Sequence, residues 1–353
     1  MYACFVQEIT IFPPVSVPMP SVWTELETLL PENEWILPCL RVVDVSSRHP
    51  YLEMNAGDRG QLALLSPSVR EVTLIISNPD ENKDEFCDAF RTRCPNLQTV
   101  FTEVSWWTGL LSQHTQLRTL WFSQIMGQCV AKAAQLVAWP ALESLSFEVS
   151  RFCKDPPHFP FRLSALRTLS IGDMYGNTLP FFTHMQLPAL RTLSYEFDPS
   201  KFLIGAHAPL GALAAAYPHL STLNLFVVHS RHIFANTPLS TPECLLLRDL
   251  LRPLTPIRDL RALLIYVGGH LLLYGPKDLR AIAAAWPALL ELKIGATSQP
   301  ELASTRYEGD LEEEEVTRDA LAELARAMPD LCSLRVAGIA LDWRELEFAR
   351  YGA

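Results

Sequence analysis

The chain has 353 residues, a formal net charge of −10 and 49% hydrophobic residues. That apolar content supports a packed core and argues against disorder. The acidic balance lacks the basic footprint on which phosphate recognition relies, so no nucleic-acid partner is expected.

In chain order, the first apolar unit is Val6, Ile9 and Ile11, within a segment 1–36 that reads as an N-terminal capping unit. From Leu40 onward the same phrase returns: an apolar anchor, two residues, an apolar residue, one residue, an apolar residue. Anchors fall at Leu40, Val69, Leu97, Leu117, Leu142, Leu166, Leu190, Leu220, Leu260, Leu289 and Leu331. The phrase is plainest in Trp139-Pro-Ala-Leu-Glu-Ser-Leu-Ser-Phe147, Leu187-Pro-Ala-Leu-Arg-Thr-Leu-Ser-Tyr195 and Trp286-Pro-Ala-Leu-Leu-Glu-Leu-Lys-Ile294. This is the L-x-x-L-x-L core of a leucine-rich repeat. Successive spacings are 29, 28, 20, 25, 24, 24, 30, 40, 29 and 42 residues. The two longest gaps predict insertions, at 228–256 and 297–316.

Positions +3 and +5 from an anchor are two apart on an extended segment, so they share one face. In the Leu142 unit these are Leu145 and Phe147, while Ser144, Ser146 and Glu148 point the other way. The return path reads as helical in 132–138, 210–216, 277–285 and 317–327, which are rich in strong helix formers. Thr317 is the expected N-cap of the last, and Pro140, Pro218, Pro287 and Pro329 mark the turn into the next strand. The expected fold is α/β: an irregular leucine-rich-repeat solenoid with a curved parallel sheet inside and helices outside. Because a solenoid grows in one direction, 1–353 is expected to be a single continuous unit.

Positions +2, +4 and +6 should line the concave face of the sheet. The +4 column reads Asp44, Thr73, Phe101, Trp121, Ser146, Ser170, Ser194, Asn224, Leu264, Lys293, Arg335. The +6 column adds Glu103, Glu148, Glu196, Phe226 and Tyr266. Phe101, Trp121, Phe226, Leu264 and Tyr266 break the polar rule for an outward face. Exposed aromatics anchor many interfaces; an inserted loop covering them, or a register slip of one residue, would place them in a core instead. Glu148 and Glu196 against Lys293 and Arg335 form a charge gradient suited to orienting a partner, or to ordinary solvation. The expected partner-binding residues are therefore Phe101, Trp121, Glu148, Glu196, Phe226, Leu264, Tyr266, Lys293 and Arg335.

Nothing in the pattern assembles chemistry. The eight cysteines include no C-x-x-C pair and no zinc spacing, and Cys39 and Cys332, inside repeat units, read as small buried thiols. The acidic run 308–315 precedes a helix, where its dipole favours negative charge. His229 and His232 read as a loop pair, Trp106 and Trp107 as a cap on the repeat core, and the glycines 268 and 269 as a turn. No Walker, G-x-G-x-x-G or G-x-S-x-G motif occurs. No catalytic residue, cofactor or metal is expected. No apolar run reaches the roughly 18–20 residues of a membrane span, and the start lacks the basic and apolar regions of a secretory signal. A cytoplasmic or nuclear protein without a membrane partner is expected.

The Asn that repeats of the extracellular type carry three residues after the last Leu is absent: Ser150, Met174, Asp198, Val228 and Thr297 stand there. With variable unit lengths and the Pro-x-Leu-x-x-Leu phrase, the chain resembles the ribonuclease-inhibitor-like repeats of fungal F-box proteins. That resemblance implies a protein-interaction module like the substrate-recognition region of a ubiquitin-ligase subunit. The alternative is a repeat-only scaffold or inhibitor unrelated to ubiquitination. An F-box would open with a phrase like Leu-Pro-x-Glu-Leu; here Leu30-Pro31-Glu32 continues Asn33-Glu34-Trp35 and follows the first unit. A ligase adaptor is thus an expected partner only if an F-box lies upstream.

Overall fold

The computed structural model describes residues 5–10, 25, 29, 35–45, 64–74, 88, 90–102, 113–125, 139–149, 161–173, 178–198, 207–228, 244–268, 271–296, 316–336 and 339–341. The chain divides into two compact units, 1–148 with 152–166, and 149–151 with 167–353.

Each repeat begins with a β-turn. The residue three before the anchor is buried in every unit: Leu37, Ser66, Cys94, His114, Trp139, Leu163, Leu187, Tyr217, Ile257, Trp286 and Met328. Its carbonyl accepts the anchor N–H, as from Leu40 to Leu37 (3.1 Å), Leu142 to Trp139 (3.2 Å) and Leu289 to Trp286 (3.1 Å). Proline, where present, is the second residue of this turn, which its fixed φ favours. Polar groups in this column reach back one repeat. Trp286 Nε1 donates to Ile257 O at 2.6 Å, and Tyr217 OH to Met185 O at 3.3 Å.

After the anchor the chain enters a strand. The strands of the first unit are β1 (Glu8–Thr10), β2 (Val42–Val45), β3 (Glu71–Leu74), β4 (Thr99–Thr102), β5 (Thr119–Ile125), β6 (Ser144–Val149, its last residue outside the unit) and the short β7 (Phe161–Arg162), which precedes an anchor. β1 to β5 pair in parallel in sequence order, and β6 follows. In the second unit they are β8 (Thr168–Asp173), β9 (Met185–Gln186), β10 (Thr192–Phe197), β11 (Thr222–Val228), β12 (Cys244–Leu246), β13 (Ala262–Gly268), β14 (Leu271–Leu273), β15 (Glu291–Ala296), β16 (Ser333–Val336) and β17 (Ile339–Leu341). There β8, β10, β11, β13, β15 and β16 run parallel, and β17 turns back antiparallel along β16. Neither set of strands closes on itself. Each unit is an open α/β leucine-rich-repeat stack, not a barrel.

The inside–outside assignment follows the period of two. Leu145, Phe147, Leu169, Ile171, Leu193, Leu223, Leu225, Leu292 and Ile294 are all buried. The return helices of the second unit are α1 (Leu179–His184), α2 (His207–Ala216), α3 (Leu247–Leu251), α4 (Pro276–Ala285) and α5 (Arg318–Ala327). Three match the expected helices. Thr317 caps α5, its Oγ1 accepting from Ala320 N at 3.3 Å. The expected helix at 132–138 lies outside the described residues. So do Glu103, Trp106, Trp107, His229, His232, Gly269, the acidic run 308–315 and most of 297–316.

Two local features add to the expected pattern, and one assignment is overturned. The described part of the 228–256 insertion, from residue 244, holds β12, α3 and a 3₁₀ turn (Arg252–Leu254). The segment after β13 forms β14, which pairs with β12. The cysteine assignment reverses: Cys39 and Cys332 are exposed, and Cys94 is buried. Cys39 sits on the turn and Cys332 at +1, both outward positions, whereas Cys94 occupies the buried column three before the anchor. Burial pushes the Cys94 thiol up to about 12, so it stays protonated.

Two predictions follow from this packing. Leu193→Ala should cost about 2–5 kcal/mol, the usual loss for a buried leucine. Its outward neighbour Ser194→Ala loses one hydrogen bond from Asn224 and should cost no more than about 1 kcal/mol. Denaturant melts compare them, and equal losses would reverse the inside–outside assignment. His114 fills the buried column where three other repeats have Leu, and its Nε2 has no hydrogen-bond partner among the described residues. Burial lowers its pKa. The unfolded chain therefore takes up this proton first, and stability from neutral His114 falls as pH drops below about 6.5. His114→Leu should raise stability by ~1 kcal/mol at pH 8 and by more at pH 5.5. An equal gain at both pH values would show that the imidazole is not held neutral.

Candidate functional site

The strand face opposite the leucines is built by register. In the first unit the +4 residues Asp44, Thr73, Phe101 and Trp121 are successive partners across β2 to β5. In the second, Ser170, Ser194, Asn224, Leu264, Lys293 and Arg335 are successive partners from β8 to β16. A slip of one residue is excluded, because the residues between them are buried. Phe101, Trp121, Phe226, Leu264 and Tyr266 thus lie on the outward face, half-buried among neighbouring side chains. Glu148 is half-buried on the same face of β6.

The second unit carries the more differentiated surface. One step beyond its +4 row, Gly172, Glu196, Phe226, Tyr266 and Gly295 are successive partners across β8, β10, β11, β13 and β15. The rings of Phe226 and Tyr266 are 6.3 Å apart and tilted by 53°. The Tyr266 ring leans toward Gly295, where an added Cβ would lie 3.8 Å from its Cδ2. Burial raises the Glu196 pKa. Asn224 Nδ2 donates to Ser194 Oγ at 3.0 Å, holding the polar side of the +4 row in place. Lys293 pairs with Glu291 on its own strand, and Arg335 is exposed on β16. In the first unit Asp44 Oδ1 is buried without a hydrogen-bond partner among the described residues. Asp44 stood in the +4 column but was not among the expected binding residues. Its signal, a carboxylate where other repeats carry Ser, Thr or Asn, was present in the sequence. Gly172 and Gly295 were not singled out either, because a glycine gains meaning there only beside a large neighbour.

A buried polar chain lies away from this face. Tyr195 OH and Thr178 Oγ1 are 2.7 Å apart. Thr178 donates from both Oγ1 (2.6 Å) and backbone N (2.8 Å) to Asp173 Oδ2. Burial and the Asp173 charge raise the Tyr195 pKa, so the phenol keeps its proton and donates to Thr178. Tyr195 stacks on Phe197 at 4.8 Å and meets the edge of Phe182 at 5.2 Å. Asp173 and Thr178 are fully buried, so this chain clamps the start of α1 to the sheet and offers no atom to a substrate. Among the described residues no three His, Cys, Asp or Glu side chains converge on a metal-sized site, and no helix is long and apolar enough to cross a membrane.

No family model and no curated protein matches the chain. Among solved structures, a Bacteroides fragilis protein is similar at 13% identity and a TM-score of 0.38, over 80% of this chain and 70% of its own. The leucine-rich repeat-containing protein LegL7 of Legionella pneumophila is similar at 12% identity and a TM-score of 0.40, over 78% of this chain and 96% of its own. The leucine-rich-repeat assignment rests on this chain's own repeat and strand register.

The tyrosine clamp yields a further expectation. Tyr195→Phe removes the donor to Thr178 Oγ1 but keeps the stacking and the Thr178–Asp173 bond, and should cost about 0.5–1.5 kcal/mol. A melt indistinguishable from wild type would mean that the hydroxyl pair contributes nothing.

Proposed function

We propose that the chain is a non-enzymatic protein-interaction module that holds a partner on the outward strand face. The observation that carries this is the in-register Leu264, Phe226 and Tyr266 cluster, set among the second unit's outward Ser170, Ser194, Asn224, Glu196, Lys293 and Arg335. Large rigid aromatics bury much area at low entropy cost, which suits them as anchors. Phe101 and Trp121 give the first unit a second apolar patch of the same kind. Glu148 in the first unit, and Glu196, Lys293 and Arg335 in the second, supply charge that selects and orients a partner on each unit's face.

A narrower form of the reading draws on the resemblance to F-box repeat proteins. The chain would then act as the substrate-recognition region of a ubiquitin-ligase subunit in the cytoplasm or nucleus. The Pro-x-Leu-x-x-Leu phrase and the missing Asn column favour it. A ligase adaptor would bind only through an F-box upstream of these repeats; without one, the same face serves a scaffold or inhibitor.

Two double variants test the surface, Phe226→Ser with Tyr266→Ser, and Phe101→Ser with Trp121→Ser. A partner recovered with the wild-type chain should be lost with at least one pair. The melting temperature should fall by only a few degrees, since about 1 kcal/mol shifts a chain of this size by ~2–4 °C. Full retention of the partner by both variants would move the site off this face. A collapse in melting temperature would assign the rings to the core.

A further inference from the structure

We infer that the second unit's face takes an extended peptide segment laid across its strands, with a cationic side chain against Glu196 and a carboxylate at Lys293 and Arg335. This rests on the reading of that face as a binding surface and specifies what it binds.

The charged groups stand at opposite sides of one apolar patch. Glu196 is on β10, Phe226 on β11, Leu264 and Tyr266 on β13, Lys293 on β15 and Arg335 on β16. Glu196 is half-buried and has no hydrogen-bond or ion-pair partner among the described residues. Its neighbour on one side, Gly172, carries no side chain; on the other stands Phe226. A carboxylate flanked by an open position and an aromatic ring suits a guanidinium or ammonium, which gains both charge pairing and attraction to the ring face. At the far side Arg335 likewise has no partner among the described residues. Lys293 is held beside Glu291, which keeps its ammonium on the same face.

The spacing fixes the segment's length. Paired strands lie about 4.8 Å apart, so Glu196 and Lys293, three strands apart, are separated by about 14–16 Å, and Arg335 by about one strand more. An extended chain advances about 3.3 Å per residue. The basic and acidic residues of the partner should therefore be about four to six positions apart, with an apolar side chain between them over Phe226, Leu264 and Tyr266. A lone aromatic patch would accept any hydrophobe. The two flanking charges of opposite sign set the direction in which the segment lies.

The test is selection of a random peptide display library against the full chain, followed by fluorescence polarisation with one enriched peptide. Enriched sequences should carry Arg or Lys and Asp or Glu four to six residues apart around an apolar residue. Replacing that Arg or Lys by norleucine should weaken binding to the wild-type chain about tenfold and leave binding to Glu196→Gln unchanged. Lys293→Ala with Arg335→Ala should likewise erase the effect of neutralising the acidic residue. Enriched peptides without the charge pair, or norleucine and Arg peptides that bind wild type equally, would overturn this inference and leave the face as a binding surface. Peptides indifferent to Phe226→Ser with Tyr266→Ser, or no enrichment at all, would overturn this inference and take the binding surface off the second unit's patch.

Discussion

Everything in each unit hangs on one carbonyl per repeat. The C=O at +1 accepts two N–H groups from the following repeat, those at its +1 and +2 positions. Arg118 O takes Glu143 N (2.8 Å) and Ser144 N (2.9 Å); Arg191 O takes Ser221 N (2.9 Å) and Thr222 N (3.0 Å); Arg261 O takes Leu290 N (2.7 Å) and Glu291 N (3.1 Å). Both lone pairs are used, and the two N–H groups leave no room for a register slip. The turn that precedes each anchor delivers the chain to that point, and the leucines at the anchor, +3 and +5 then stack on their counterparts. Cooperative stacking of this kind lets each repeat bury an apolar face that it could not bury alone.

The same constraint decides what the surfaces look like. With its backbone committed to the ladder, the +1 side chain is turned outward, and Arg41, Arg70, Arg118, Arg167, Arg191 and Arg261 stand there. Like charges on adjacent strands repel, but solvent screens exposed guanidinium groups, and Arg118 lies 3.5 Å from Glu143 of the next repeat. On the strand face, locked register converts residues about 30 to 40 positions apart in sequence into neighbours in a row. Glu196, Phe226 and Tyr266 become adjacent only because β10, β11 and β13 pair without a bulge.

Polar groups enter the core where the backbone gives them a partner. Trp286 and Tyr217 bond back to the preceding repeat, and Tyr195 reaches Asp173 through Thr178. Within the buried column before the anchors, His114 differs, desolvated and without a partner for its Nε2 among the described residues. That contrast sets the histidine apart from the Trp, Tyr, Ser and Cys of the same buried column, and makes it the position expected to respond to acid.

The sequence by itself determined the repeat, its inside and outside, and the rows of the strand face. Those follow from a period of two in strands and from the apolar anchor spacing, both local properties. Thr317 as a helix cap was equally local. Only the tertiary structure decided which cysteine is buried, because Cys39, Cys94 and Cys332 differ in their place in the repeat: Cys39 on the turn, Cys332 at +1, and Cys94 in the buried column three before the anchor. The short α1 and the β12–β14 pair were also illegible, since segments of three to six residues carry too little periodicity to register. The tilt of the Phe226 ring against Tyr266, and the link from Asp173 to Tyr195 through Thr178, belong to the structure alone. Each depends on side-chain reach between segments far apart along the chain or turned back on themselves, and no spacing rule encodes that reach.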